Sequence, residues 1–155
     1  MYEKFGQFID GKWRQSSDKS TYEVINPANE EILGHASKAT LDDIDRALKS
    51  AEKGLEVWKK TPPWQRSYII RRIADKIREK QDVLAKWMTL EVGKPFVEAK
   101  GEVNGAADIF EWNAEETKRI YGQTVESRFE DTRVHVYYQP VGVVAALTPW
   151  NFPAV

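Results

Sequence analysis

From Leu41 onward the chain repeats apolar residues at intervals of three and four. Leu41, Ile44, Leu48, Ala51, Leu55 and Trp58 fall on one side of a helical spiral, and Thr40 with Asp43 offers a capping-box variant at its start. Pro62-Pro63 interrupts the pattern and can open a second helix, whose apolar stripe is Tyr68, Ile69, Ile73 and Ile77. A third helix is predicted from about Asp82 through Leu84, Trp87, Met88 and Glu91, stopped by Gly93-Lys94-Pro95. The fourth is the longest, with Phe96, Val103, Ala106, Ala107, Phe110 and Ala114 on one face. Gly101 and Gly105 share that face, each costing about 1 kcal/mol of helix propensity. Small residues four apart permit a close helix approach, which offsets that cost. Gly122 fits a C-terminal cap.

Before and after the helices the pattern changes to short strands. Phe8-Ile9-Asp10-Gly11-Lys12-Trp13 sets apolar residues on both sides of an Asp-Gly pair, a hairpin signal. Tyr22–Ile25 alternates, Asn26-Pro27-Ala28-Asn29 marks a turn, and Ile32–Ala36 follows as a further strand. A polar hairpin is predicted from residues 124–128 and 133–138, with Glu130-Asp131-Thr132 between them. Val134, Val136 and Tyr138 share one of its faces; Arg133, His135 and Tyr137 share the other. An isolated hairpin is marginal in water, so it needs a surface in this subunit or another.

Val141–Leu147 is apolar without alternation, the mark of a parallel strand covered on both faces. Thr148-Pro149-Trp150-Asn151-Phe152-Pro153 follows, in the place where open α/β sheets bind ligands. Two prolines restrict the backbone around the Asn151 amide. An amide so fixed can donate a hydrogen bond to a developing oxyanion, worth about 3 kcal/mol in enzymes. By spacing alone the segment reads first as a Pro-rich turn capping a core strand.

Charge removes several functions. With 23 Lys+Arg against 24 Asp+Glu the formal charge is −1, so there is no broad basic field for nucleic acid or an anionic membrane. The basic run Arg71, Arg72, Lys76, Arg78 and Lys80 is interrupted by Asp75 and Glu79, which makes it a solvated, salt-bridged face. Glu111, Glu115 and Glu116, at helical spacing beside Lys118 and Arg119, are expected to face solvent. No apolar run approaches the roughly 20 residues of a membrane-spanning helix, and the first six residues lack the apolar core of a signal peptide. The expected compartment is the cytoplasm. There are no cysteines, hence no disulfide, thiolate metal site or thiol nucleophile in these residues. His35 and His135 have no metal-ligand spacing. Gly93-Lys94 is no phosphate loop, since Pro95 stands where Ser or Thr is required.

Thr148-Pro149-Trp150-Asn151-Phe152-Pro153, preceded by Gln139-Pro140-Val141-Gly142-Val143, resembles the NAD(P)-dependent aldehyde dehydrogenase superfamily. Further resemblance lies in residues 8–13, Ile25-Asn26-Pro27-Ala28, Arg66 and Thr89-Leu90-Glu91-Val92-Gly93-Lys94-Pro95. Residues 111–116 with Arg119-Ile120-Tyr121-Gly122 are most like the succinate-semialdehyde dehydrogenase branch. The resemblance implies an α/β fold: the amino-terminal part of the aldehyde dehydrogenase fold, with short strands, four helices, an oligomerisation hairpin and the first strand of the dinucleotide-binding sheet. Residues 1–122 would form the amino-terminal strands and helices of the cofactor-binding domain. Residues 123–139 would be the oligomerisation hairpin, and residues 140–155 the start of the sheet.

For the complete enzyme the resemblance implies NAD or NADP as cofactor and a small aldehyde as substrate. A thiolate attacks the aldehyde, hydride leaves to the nicotinamide, and water hydrolyses the thioester to the acid. Asn151 would donate its side-chain amide to the oxyanion. Thr148, Pro149, Trp150 and Asn151 would line the cofactor. Glu91 matches a monovalent-cation position; no other metal is implied. Residues 124–139 would make a homo-oligomer. The family's cysteine, glutamate and Gly-rich turn all lie downstream of this motif, so the 155-residue chain is expected to be an inactive amino-terminal portion. The alternative, from a different class, is a non-catalytic module that self-associates or binds a longer paralogue.

Overall fold

The computed structural model describes residues 5–155. The expectation about the signal peptide falls largely on residues 1–4, outside the described residues. Three antiparallel hairpins and four helices make up the rest. The first hairpin joins β1 (Gln7–Ile9) to β2 (Lys12–Arg14), and Phe8 stands opposite Trp13. Asp10 and Gly11 both take positive φ, 57° and 72°, as a two-residue turn of the right hand for twisted strands demands. β3 (Thr21–Ile25) pairs with β4 (Ile32–Ser37), with an irregularity in register after Val24. The expected Asn26 turn closes them: the Asn26 carboxamide oxygen accepts the Ala28 N–H at 3.0 Å.

Asp43 ties these strands to α1 (Leu41–Trp58). The capping box with Thr40 is present in both directions. The same carboxylate also accepts the Ser17 N–H at 3.1 Å and the Ser16 hydroxyl at 3.2 Å, and pairs with Arg46 at 2.6 Å. At 2% exposure Asp43 is the buried residue of α1, while its apolar neighbours Leu41, Ile44 and Leu48 remain exposed. The periodic stripe therefore forms a helix, as expected, but has no cover among the described residues.

The core lies between α2 (Pro63–Glu79), α3 (Gln81–Val92) and α4 (Phe96–Glu116). Ala85, Met88, Ala99 and Val103 form its centre, with Ile77 against it. Ala74, Ala106, Ala107 and Ala114 are buried as well. These alanines, not the glycines, let the helices approach. A Cβ on Gly101 would meet open space, and one on Gly105 would meet only the Val155 side chain at 4.0 Å. Charge seals the outer edge of α2 and α4. Arg71 and Arg78 each reach Glu111 at 2.6 Å, Arg78 also reaches Asp108 at 2.7 Å, and Arg71 pairs with Glu115. Glu111 and Glu115 were expected to face solvent; they point across to α2 because two arginines there stand within reach. Glu116 pairs with Arg119, as expected for a surface position.

After a 3-10 turn at Thr117–Arg119, β5 (Gln123–Glu126) pairs with β6 (Arg133–Val136), and the expected hairpin forms with Val125 opposite Val134. Gly122 is no helix cap, because the helix has already ended at Glu116. It lies at the mouth of this hairpin, against Val136.

The expected strand at Val141–Leu147 is the main correction. The segment has no strand partner among the described residues and forms no strand; Val141 is 94% and Leu147 96% exposed. Strand geometry is held by ladder hydrogen bonds to a neighbour, and no neighbour reaches it. The whole chain exposes 11975 Å², against about 8000 Å² for a folded monomer of this mass. Much apolar surface is left open on α1, the last hairpin and this segment.

Candidate functional site

The site is the corner where α3 gives way to α4 and the carboxyl-terminal turn comes to rest on it. Gly93 ends α3 in the left-handed conformation at φ 76°, and its N–H closes on the Thr89 carbonyl at 2.9 Å. A Cβ there would also stand 3.0 Å from the Pro27 ring, so the position has two reasons to be glycine. Pro95 starts α4 and its carbonyl accepts the Ala99 N–H at 2.9 Å. Lys94 is thus fixed between a left-handed glycine and a proline, with its side chain turned inward.

Lys94 forms an ion pair with Glu102, two turns into α4; the side chains are 13% and 4% exposed. Each has a second task. The Lys94 ammonium donates to the backbone carbonyl of Asn151 at 2.9 Å and stands 4.1 Å over the Phe152 ring. The other Glu102 oxygen accepts the Ala154 N–H at 2.9 Å. Beneath Pro153 and Ala154 lies a cavity of about 310 Å³, lined by Ile77, Leu84, Trp87, Met88 and Val103.

The residues singled out in the sequence lie on the outer side of this corner. Thr148, Pro149, Trp150 and Asn151 are exposed, with Trp150 and Asn151 inside the turn. Among the described residues the Asn151 side chain takes no hydrogen bond, while its backbone is held by Lys94. The amide is therefore anchored at its base and free at its tip. Thr148 and Trp150 are exposed as well, with no side-chain hydrogen bond among the described residues. Of these residues the structure joins Asn151, through its backbone carbonyl, to Lys94, and Ala154 just beyond to Glu102; the sequence reading had assigned neither Lys94 nor Glu102 to the site. A signal was available: Glu102 sits on the face defined by Ala99, Val103 and Ala106, and a carboxylate buried there requires a partner.

The histidines stay apart. His35 stands opposite Glu23 in the second hairpin, and His135 meets the Thr124 hydroxyl at 3.2 Å in the third. Among the described residues there is no group of three or more His, Cys, Asp or Glu placed to hold a metal ion. No helix among them is long and apolar enough to cross a membrane.

Comparison with known proteins gives a consistent result. The model described as "Aldehyde dehydrogenase family" matches residues 13–155. Glutarate-semialdehyde dehydrogenase of Pseudomonas putida is 45% identical over 147 residues, covering 95% of this chain and 31% of that protein. Succinate-semialdehyde dehydrogenase [NADP(+)] of Escherichia coli is 44% identical, covering 94% of this chain and 30% of that protein. A crystal structure of an E. coli NADP-dependent enzyme superposes with a TM-score of 0.93 at 44% identity, covering 98% of this chain and 32% of that one. The chain thus spans about a third of the length of the relatives it matches.

Proposed function

We propose, from the premise that this chain belongs to the aldehyde dehydrogenase family, that it carries the oxyanion donor and part of the cofactor wall of an enzyme that oxidises a small aldehyde to its carboxylic acid. The observation that carries this reading is the Asn151 side chain, exposed and without a hydrogen bond among the described residues, on a backbone whose carbonyl is held by Lys94. An amide N–H presented in this way can meet the negative oxygen that forms when a nucleophile adds to an aldehyde. Because the backbone beneath it is held by Lys94, the turn itself needs little reorganisation as charge develops.

The residues present fit a dinucleotide. Thr148 offers an exposed hydroxyl, Trp150 an exposed ring and indole N–H, and Pro149 a stiff backbone, in consecutive positions leading into one turn. Thr148, Pro149, Trp150 and Asn151 would line NAD+ or NADP+, which when bound supplies the hydride acceptor. The E. coli relative is named for NADP(+), which favours NADP+ as the first cofactor to try. The names of the two relatives point to semialdehydes of short dicarboxylic acids as substrate class. The 155 residues hold no cysteine, so the nucleophilic thiol of this chemistry must come from elsewhere in the enzyme. The hairpin of residues 124–139 would pair with a neighbouring subunit, and the cytoplasm would be the compartment.

The test is Asn151→Ala in the complete enzyme, assayed with succinic and glutaric semialdehydes and either cofactor. We expect kcat to fall by about a hundredfold or more with cofactor affinity nearly unchanged, since the donor acts on transition-state charge. The 155-residue chain alone should give no NAD(P)H above a heat-inactivated control. An unchanged kcat, with hydride transfer shown to limit turnover, would remove Asn151 from this role. If the chain alone is folded, and no longer protein containing it oxidises aldehydes, the non-catalytic module is the better reading.

A further inference from the structure

We propose that Lys94 and Glu102 are positioning residues that hold the backbone of the Asn151 turn, so that the α3–α4 corner sets where the Asn151 amide points. The inference rests on the oxyanion reading of Asn151. Three contacts carry it. The Lys94 ammonium binds the carbonyl of Asn151 itself, at 2.9 Å. The same ammonium lies over the ring of Phe152, the next residue, at 4.1 Å. Glu102 takes the N–H of Ala154 at 2.9 Å. The grip therefore spans residues 151–154 and leaves the Asn151 side chain free.

The pair is fully engaged. A lysine ammonium has three N–H donors and no acceptor. Glu102, the Asn151 carbonyl and the Phe152 ring account for what surrounds them. One Glu102 oxygen faces Lys94 and the other faces Ala154. Neither side chain has room to wander: Glu102 is on the buried face of α4, and the backbone of Lys94 is confined by Gly93 and Pro95. A buried ion pair is a poor stabiliser compared with apolar side chains of similar volume. What it gives here that an apolar pair could not is a directed hold on one carbonyl and one N–H of the turn. Misplacing a reacting group by 1 Å can cost about a hundredfold in rate.

The test separates positioning from folding. In the complete enzyme, Lys94→Met with Glu102→Leu removes both holds and both buried charges together, so the fold is retained. We expect kcat to fall by about ten- to a hundredfold while the thermal midpoint and the cofactor Kd change little. Adding the double change to Asn151→Ala should then cost less than about twofold further, because residues acting as one unit are not additive. A double variant with unchanged kcat, beside an Asn151→Ala variant that is slow, overturns the proposal and leaves the oxyanion reading standing. So does full additivity of the two effects. If Asn151→Ala itself is not slow, the oxyanion reading fails and the hold is judged by amide exchange. Faster exchange at Ala154 in Glu102→Ala supports the grip, and unchanged exchange there overturns it.

Discussion

Gly122 meets Val136 so closely that a Cβ built on it would stand 2.5 Å from the Val136 carbonyl oxygen. The contact is backbone to backbone, so no side chain can move aside to relieve it. Gly122→Ala should push β5 and β6 apart at their open end and destabilise the hairpin by about 1–3 kcal/mol, the usual cost of overpacking. Amide exchange at Thr124 and Val125 reads this directly. Rates equal to those of the unsubstituted chain would mean that the strands separate without loss.

The strand and α1 unit should weaken in acid. The Thr40 N–H, together with the Ser17 N–H and the Thr40 hydroxyl, holds the Asp43 carboxyl well below the usual carboxylate range against the opposing effect of burial. Hydrogen bonds from Ser20 and Ser16 lower Asp18 to about 2. Both groups are more acidic folded than unfolded, where Asp titrates near about 3.9. As pH falls, the unfolded chain therefore takes up protons first, and stability present above about pH 4 is lost toward pH 2. Urea midpoints measured from pH 5 to pH 2 should fall along this course. Asp43→Asn should flatten the fall; an identical slope in that variant would show that Asp43 is not its source.

Lys94→Met made alone should be far worse for the fold than the paired change with Glu102→Leu. The single change strands a carboxylate that is 4% exposed, at a cost of about 3–5 kcal/mol. The paired change removes that charge and should recover most of the loss. Urea unfolding of the two variants makes the comparison. Equal stability in both would mean that water or another cation reaches Glu102.

The 155-residue chain should associate at micromolar concentration. Val141, Val144 and Leu147 are exposed, and an unpaired apolar segment of this kind recruits another chain. Val144→Lys should shift sedimentation toward the mass of one chain, since a charge there opposes pairing. A single species at that mass in the unsubstituted chain would contradict the expectation.

Local rules carried the sequence reading a long way. Thr40 and Asp43 marked the start of α1, Pro63 the start of α2, Gly93 the end of α3, and Asp10-Gly11 the first turn. Each of these is decided by residues within a few positions of one another. The misreadings share the opposite property. Val141–Leu147 has the composition of a buried strand, but a strand is made by its neighbours. Gly101 and Gly105 are on the right helix but not on its packed side, which only the placement of α2 and α3 determines. Glu111 and Glu115 looked outward until Arg71 and Arg78, 40 and 44 positions away for Arg71, came opposite them. The site divided in the same way. The motif at Thr148–Asn151 was visible as a motif, whereas Lys94 joins it only through a contact across 57 positions.

That separation also orders events in time. Lys94 and Glu102 are eight positions apart, and Asn151 follows Lys94 by 57. Chains are made from the amino end at about 5–20 residues per second. Both halves of the grip, and the helix start that joins them, are therefore synthesised seconds before the turn they hold. The receiving corner can be assembled and charged while residues 148–154 are still to be made. A corner assembled first would let the turn dock into a finished seat, with capture as the last step in placing Asn151.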